Sequence, residues 1–170
     1  MKYILTDQRN EYDGHILYRI QSGADGRLGG WVESEENLSQ DGNCWIDNNA
    51  AVFGEARVRG NARIKDDACV YGSSQIDGNV EVSGDALVYG NSVLHDNVLI
   101  TDSACVNNAR VTGNVEVSGE AIVDQFSEVS GDVKISGTAW VTSYSKISGN
   151  TNISGHAKVE QLNINSNVIQ

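Results

Sequence analysis

Proline is missing altogether from these 170 residues, and sulfur-bearing and aromatic side chains are scarce: three Cys, one Met, two Phe, three Trp and six Tyr. Three cysteines do not make a disulfide scaffold. Cys44 falls at an inward position of the pattern described below, whereas Cys69 and Cys105 point outward two turns apart, beyond bridging reach. Reduced thiols and a cytoplasmic location are the expectation. No apolar run approaches eighteen residues, and Met1-Lys2-Tyr3 is not followed by the apolar stretch of a secretory signal. Positive charge is the other shortage. Lys and Arg number 12 against 23 acids, a net charge of −11. None of the cations lies within residues 66–109, which hold Asp66, Asp67, Asp77, Glu81, Asp85, Asp96 and Asp102. Such a field repels nucleic acid and anionic membrane and attracts basic proteins. CxxC, HExxH, Ca²⁺-loop, P-loop and GxGxxG patterns are also missing, so neither metal nor cofactor is expected.

What is present is one six-residue phrase, repeated twenty times from Cys44 to Val159. It reads small-x-aliphatic-x-turn-turn, as in "ARVRGN" (56–61), "VEVSGD" (80–85) and "SKISGN" (145–150). The third position is Val, Ile or Leu every time, and one residue is dropped in "ACVNN" (104–108). Strand side chains alternate, so the first and third residues share the inward side and the second and fourth point out. The last two residues form a corner, opened by Gly in twelve phrases, where a positive φ is expected. Strands of four residues with two-residue corners cannot reverse as hairpins; they wind into a solenoid.

A second period gives the strands per turn. Every eighteen residues the corner reads Gly-Asn or a close relative: Gly42-Asn43, Gly60-Asn61, Gly78-Asn79, Asp96-Asn97, Gly113-Asn114, Gly131-Asp132, Gly149-Asn150. The fold class is therefore all-β, a three-sided parallel β-helix, with stacked Asn side chains expected to form a hydrogen-bonded ladder. About six and a half coils at ~4.8 Å each make a prism about 30 Å tall. Residues 42–160 are the expected β-helix and 161–170 a closing segment. Residues 1–41 fall outside the repeat and are expected to cap the open end. Within them, "KYILT" (2–6) and "HILYRI" (15–20) read as a hairpin, and Trp31, after Gly29-Gly30, is expected to plug the first turn.

These phrases resemble the hexapeptide-repeat, left-handed parallel β-helices of the trimeric LpxA-like superfamily. The segment "GGWVESEENLSQDGNCWI" (29–46) is similar, more specifically, to an uncharacterised bacterial and prophage group of YdcK-like transferases. The resemblance implies left-handed coiling and, in the superfamily, acyl transfer from acyl-CoA by a general-base His in a cleft between subunits. One departure is plain: acyltransferase phrases place Gly directly after the aliphatic residue, whereas here another residue intervenes.

Sorting the outward residues by side finds two mixed polar sides and one apolar side. The apolar side carries Phe53, Cys69, Tyr71, Leu87, Tyr89, Cys105, Ile122 and Trp140, and the corner beyond it gains Phe126, Tyr144 and Leu162. A run of this size needs a cover: a sister subunit, the N-terminal hairpin folded back, or a foreign partner. Self-association as a dimer or trimer is the leading expectation. Asp66, Asp67, Asp85, Asp102 and Glu120 share one corner bordering that side and, with Asp77, Glu81 and Asp96, form the candidate surface for a basic partner. His15, His95 and His156 show no lid or enclosure, so no catalytic residue is expected. The reading is a non-enzymatic protein-binding β-helix. By analogy with its prophage relatives it would be a nucleic-acid-mimicking inhibitor of a host defence that handles nucleic acid. The alternatives are an acyl-CoA-dependent acyltransferase and a structural, polymer-forming protein.

Overall fold

A computed structural model describes residues 1–166 and 168–170. Its backbone is a parallel β-solenoid preceded by an antiparallel hairpin. Strand partners recur at eighteen residues on three sides. On the apolar side Ala51, Cys69, Leu87, Cys105, Ile122, Trp140 and Lys158 follow one another in register, with one seventeen-residue step at Cys105–Ile122. The second side runs Arg57, Gln75, Val93, Arg110, Glu128, Lys146, Asn163. The third runs Trp45, Arg63, Glu81, Leu99, Glu116, Lys134, Asn152.

Burial follows the phrase. All twenty third-position aliphatics, from Ile46 to Val159, are buried. With the inward Ala residues they form one continuous column, and a column of this kind stabilises each coil by its stacking on the next. Three inward serines satisfy themselves locally: the hydroxyls of Ser74, Ser92 and Ser145 donate across a corner to the carbonyls of Tyr71, Tyr89 and Thr142, whereas the buried Ser127 hydroxyl has no partner among the described residues. The ladder is present too. Asn43, Asn61, Asn79 and Asn97 each donate Nδ2 to the Oδ1 of the next coil's Asn at 2.9–3.0 Å, and Asn114 donates to Asp132 at 2.7 Å. At this corner Val93–Ile100, Arg110–Val117 and Glu128–Ile135 run through as unbroken strands.

The residue dropped near Asn108 is absorbed at a corner reduced to one residue, Asn108 itself, at φ 48°. A second slip, not read from the sequence, follows Gln161, where Lys146 pairs with Asn163 instead of its eighteenth neighbour.

Winding starts earlier than residue 42. Strand β3 (Leu28–Val32) already pairs in parallel with Ala51–Val52, and Leu38 bridges to Val58. A 3-10 turn, Glu35–Asn37, takes the place of the corner between Val32 and Leu38, and the six-residue count is hidden there because Leu38 stands eight residues, not six, before Ile46. Asn37 is fully buried within it and donates to the carbonyls of Gly54 and Ala56. Gly29 lets β3 lie close, since a Cβ there would stand 2.6 Å from the Ile46 carbonyl oxygen.

The hairpin joins β1 (Tyr3–Tyr12) to β2 (His15–Ser22) through Asp13-Gly14, and β2 pairs with β3. An irregularity between Leu5 and Arg9 bends it, so that its two ends do different work. Tyr3 and Ile20, both fully buried, close the bore. Trp31 does not: it stays on the outer surface under Arg19, whose guanidinium lies 5.0 Å from the ring. The plug is Tyr3, because β3 alternation turns Val32 inward and Trp31 outward.

Candidate functional site

The apolar side is continuous, as its residue spacing requires. Phe53, Tyr71 and Tyr89 stack face to face along the axis, centroids 5.0 Å apart and nearly parallel. This spacing is the coil repeat itself. Its first part is not open to solvent. The far end of the hairpin folds over it, placing Tyr12 and His15 on Phe53 at 5.5 and 5.0 Å and burying Leu17 among Ala51, Phe53 and Cys69. Phe53 is only 3% exposed and is thereby removed from the candidate interface. A clasp holds the hairpin down: His15 Nδ1 lies 3.0 Å from Glu33 Oε1, and Glu33 Oε2 accepts the Gly54 amide at 2.7 Å. The His15 bond, supported by the Gly54 amide, holds the Glu33 carboxyl below its ordinary pKa.

The thiols beside this stack are quiet. Burial pushes Cys69 and Cys105 upward, outweighing their bonds to Tyr12 and Tyr89, and so keeps them protonated.

Beyond the hairpin the apolar side opens. Tyr71, Leu87, Tyr89 and Ile122 are half-buried, and Trp140 is exposed, donating to Asp124 and covered on one face by Lys158 at 5.0 Å. At the adjoining corner Phe126, Tyr144 and Leu162 are 55%, 68% and 51% exposed. Phe126 stacks on Tyr144 with centroids 5.6 Å apart. The backbone there is unusual. Gln125 and Phe126 (φ 49° and 60°), then Ser143 and Tyr144 (56° and 62°), put two successive non-glycine residues in the left-handed region, where each bears about 1–2 kcal/mol of strain. Earlier coils use Gly54, Gly72 and Gly90 at this corner.

The acidic residues fall where the spacing puts them, but several are engaged in the fold. Asp66, Asp96 and Asp102 occupy first corner positions at φ 60–74°. Each accepts a backbone amide of the next coil, from Gly84, Gly113 and Gly119. Asp77 accepts the Gly78 amide and Glu81 pairs with Lys65 at 2.8 Å. Asp67 takes a bond from Asn49. Asp85 and Glu120 carry no side-chain bond among the described residues. Sequence spacing gave the place of these carboxylates; the work they do at corner amides needed the three-dimensional stacking.

His95 has a partner that the spacing did not reveal. Its Nδ1 lies 2.6 Å from Asp96 Oδ1, and Asp96 Oδ2 is fixed by the Gly113 amide. With Nδ1 donating, Nε2 is the free acceptor, turned out from the exposed second side. His156 Nδ1 contacts Thr138 Oγ1 at 2.6 Å. Among the described residues no three His, Cys, Asp or Glu side chains cluster as metal ligands, and no helix is long and apolar enough to cross a membrane.

A cationic hollow was missed altogether. Lys2, Arg27 and Arg63 line it with Gly42 and Trp45. These residues are far apart in sequence, and only the cap brings them together.

No protein-family model matches the chain. A stretch of 36 residues, 21% of the chain, is 53% identical to the "Uncharacterized acetyltransferase YdcK" of Escherichia coli (strain K12). The match spans 11% of that protein's length.

Proposed function

We propose that this chain works by protein contact: copies associate through the open part of the apolar side, and the acidic corner is left to meet a basic partner. The observation that carries this is the exposed ridge of Phe126, Tyr144 and Leu162, held out by strained backbone beside Trp140. Strain retained at an exposed aromatic points to use, since what it gains within the chain is a solvent-exposed ring stack and an exposed hydroxyl bond. Four such side chains supply roughly half of the ~800 Å² that each partner contributes to a standard interface, enough for its apolar centre. Light scattering on size-separated protein tests the reading. An oligomer that Tyr144→Glu converts to a well-folded monomer supports it; a wild-type monomer at tens of micromolar overturns it.

A second reading, acetyl transfer, has its own support and is the one the comparison with known proteins favours. The 36-residue likeness is to a protein named an acetyltransferase, and His95 is oriented by Asp96 with Nε2 free, as a general base requires. Both sides of that His95 are open in one chain, so an enclosed site would need a second copy. Acetyl-CoA binding by calorimetry, with His95→Ala abolishing acetyl transfer but not assembly, would establish this reading over the first.

A further inference from the structure

The geometry points to a binding site for a small phosphoryl-bearing ligand in the hollow between the cap and the third side of the coil. This inference is independent of both functional readings. The hollow is about 510 Å³, the size of a small-molecule site. Three of the chain's twelve cations, Lys2, Arg27 and Arg63, line it, and among the described residues no carboxylate does. In a protein of net charge −11 that is a local inversion of sign.

Each cation is held in place differently. Arg27 lies 5.1 Å over the Trp45 ring and gives one nitrogen, Nη1, to Asp47 at 2.7 Å, which leaves the rest of its fork. Asp47 pairs with one cation of the three, Arg27. Lys2 Nζ donates to the Asp41 carbonyl at 3.2 Å and to Cys44 Sγ at 3.1 Å, and has no carboxylate within ion-pair distance among the described residues. Arg63 has no carboxylate within ion-pair distance among the described residues, since its cross-strand neighbour Glu81 is taken by Lys65 at 2.8 Å.

Some corners of the coil show what such a wall can accept, while Gly60, Gly72, Gly90 and Gly131 have no carboxylate on their amides among the described residues. Gly54, Gly84, Gly113 and Gly119 stand at first corner positions, and the amide of each donates to a carboxylate, at 2.7–3.2 Å. Gly42 is the same position in the first coil, at φ 70°, and among the described residues its amide carries no such partner. An amide of this kind flanked by guanidinium forks is chemistry suited to phosphoryl oxygens. A dianion matches the surplus of charge better than a single carboxylate. A nucleic acid would have to lie across acidic surface on either side of the hollow, whereas a compact anion meets only the local cations.

The test is titration of the ¹⁵N-labelled full chain with inorganic phosphate, followed at the Gly42 amide and the Trp45 indole N–H. Acetate and a short single-stranded DNA are the parallel arms. Saturable shifts confined to the hollow, weakened about tenfold by Arg63→Ala and unchanged by Arg110→Ala on the distant second side, are expected. Arg63 is half-exposed, and its variant is checked for an unchanged melting temperature. Shifts that do not saturate, that survive Arg63→Ala, or that acetate reproduces at equal concentration overturn the site. DNA binding tighter than phosphate overturns its assignment to a small ligand.

Discussion

Tyr3 Oη donates to the Leu38 carbonyl at 2.6 Å, tying the first residue of the hairpin to the first coil it covers. The Glu35 carbonyl lies 3.0 Å from the same hydroxyl. A solenoid end must bury apolar core and satisfy backbone groups at once, and a phenol does both: the ring fills the bore and its hydroxyl reaches a carbonyl the repeat leaves unpaired. Tyr3→Ala should therefore destabilise by about 3–5 kcal/mol through the cavity, and Tyr3→Phe by about 1–3 kcal/mol through the stranded carbonyl. Urea unfolding measures both, and a Tyr3→Phe variant as stable as the wild type would mean that the hydroxyl contributes nothing.

The same hydroxyl makes the protein sensitive to alkali. Burial, aided by Glu35, raises the Tyr3 pKa to about 12, and burial, aided by Cys105, does the same for Tyr89. A folded-state pKa above the unfolded value means that the native state holds the proton more tightly. The stabilisation is then complete below pH ~10 and is lost as pH climbs from ~10 toward ~12. Melting temperature should begin to decline near pH 9, where the unfolded chain ionises Cys69 and Cys105 and the folded one does not, and fall steeply above 10, with Tyr3→Phe flattening part of the steep fall. A wild-type profile still level at pH 11.5 would contradict this.

Asp102 tests whether the acidic corner is architecture or only surface. Its φ of 60° favours glycine, and its Oδ2 accepts the Gly119 amide at 2.8 Å. Asp102→Gly exchanges the bond for backbone ease and should change stability by less than about 1 kcal/mol. Asp102→Ala loses the bond and keeps the strain, for about 2–3 kcal/mol. The order, alanine worse than glycine, is the diagnostic outcome in thermal melts. Asp85, which makes no side-chain bond among the described residues, should tolerate alanine. Attraction of a basic partner should weaken on removing either Asp.

The parts of this molecule legible in its sequence are those fixed by the period. The inward column from Ile46 to Val159, the Asn43-to-Asp132 ladder and the shared side of Tyr71, Tyr89 and Trp140 all follow from counting by six and eighteen. Features set by contacts between distant segments were not legible. That the hairpin itself covers Phe53 depends on the bend between Leu5 and Arg9, which no local pattern announces. The early start of the coil was hidden because Leu38, six residues after Val32, stands eight residues before Ile46 and so falls out of the count. Paired spacing likewise placed His95 on an open side without showing that Asp96, bent back by its own φ of 74°, would reach the ring.

Ser143 and Tyr144 allow strain and use to be separated. Both occupy left-handed backbone, and only Tyr144 carries the exposed ring that stacks on Phe126. If stability alone had chosen this corner, glycine would stand first, as it does at Gly54, Gly72 and Gly90. Ser143→Gly removes one strained residue together with the Ser143 hydroxyl's bond, shared between Gln125 at 3.2 Å and Glu160 at 3.4 Å. That bond is exposed and weak, so a net gain of about 0.5–1 kcal/mol is expected. The ridge, however, would then rest on a more permissive backbone, free to swing the Tyr144 ring out of line with Phe126. The variant should melt a few degrees higher as a diluted monomer and yet associate more weakly in sedimentation. A variant that gains stability and keeps its full self-affinity would show that the left-handed pair does not position the ridge.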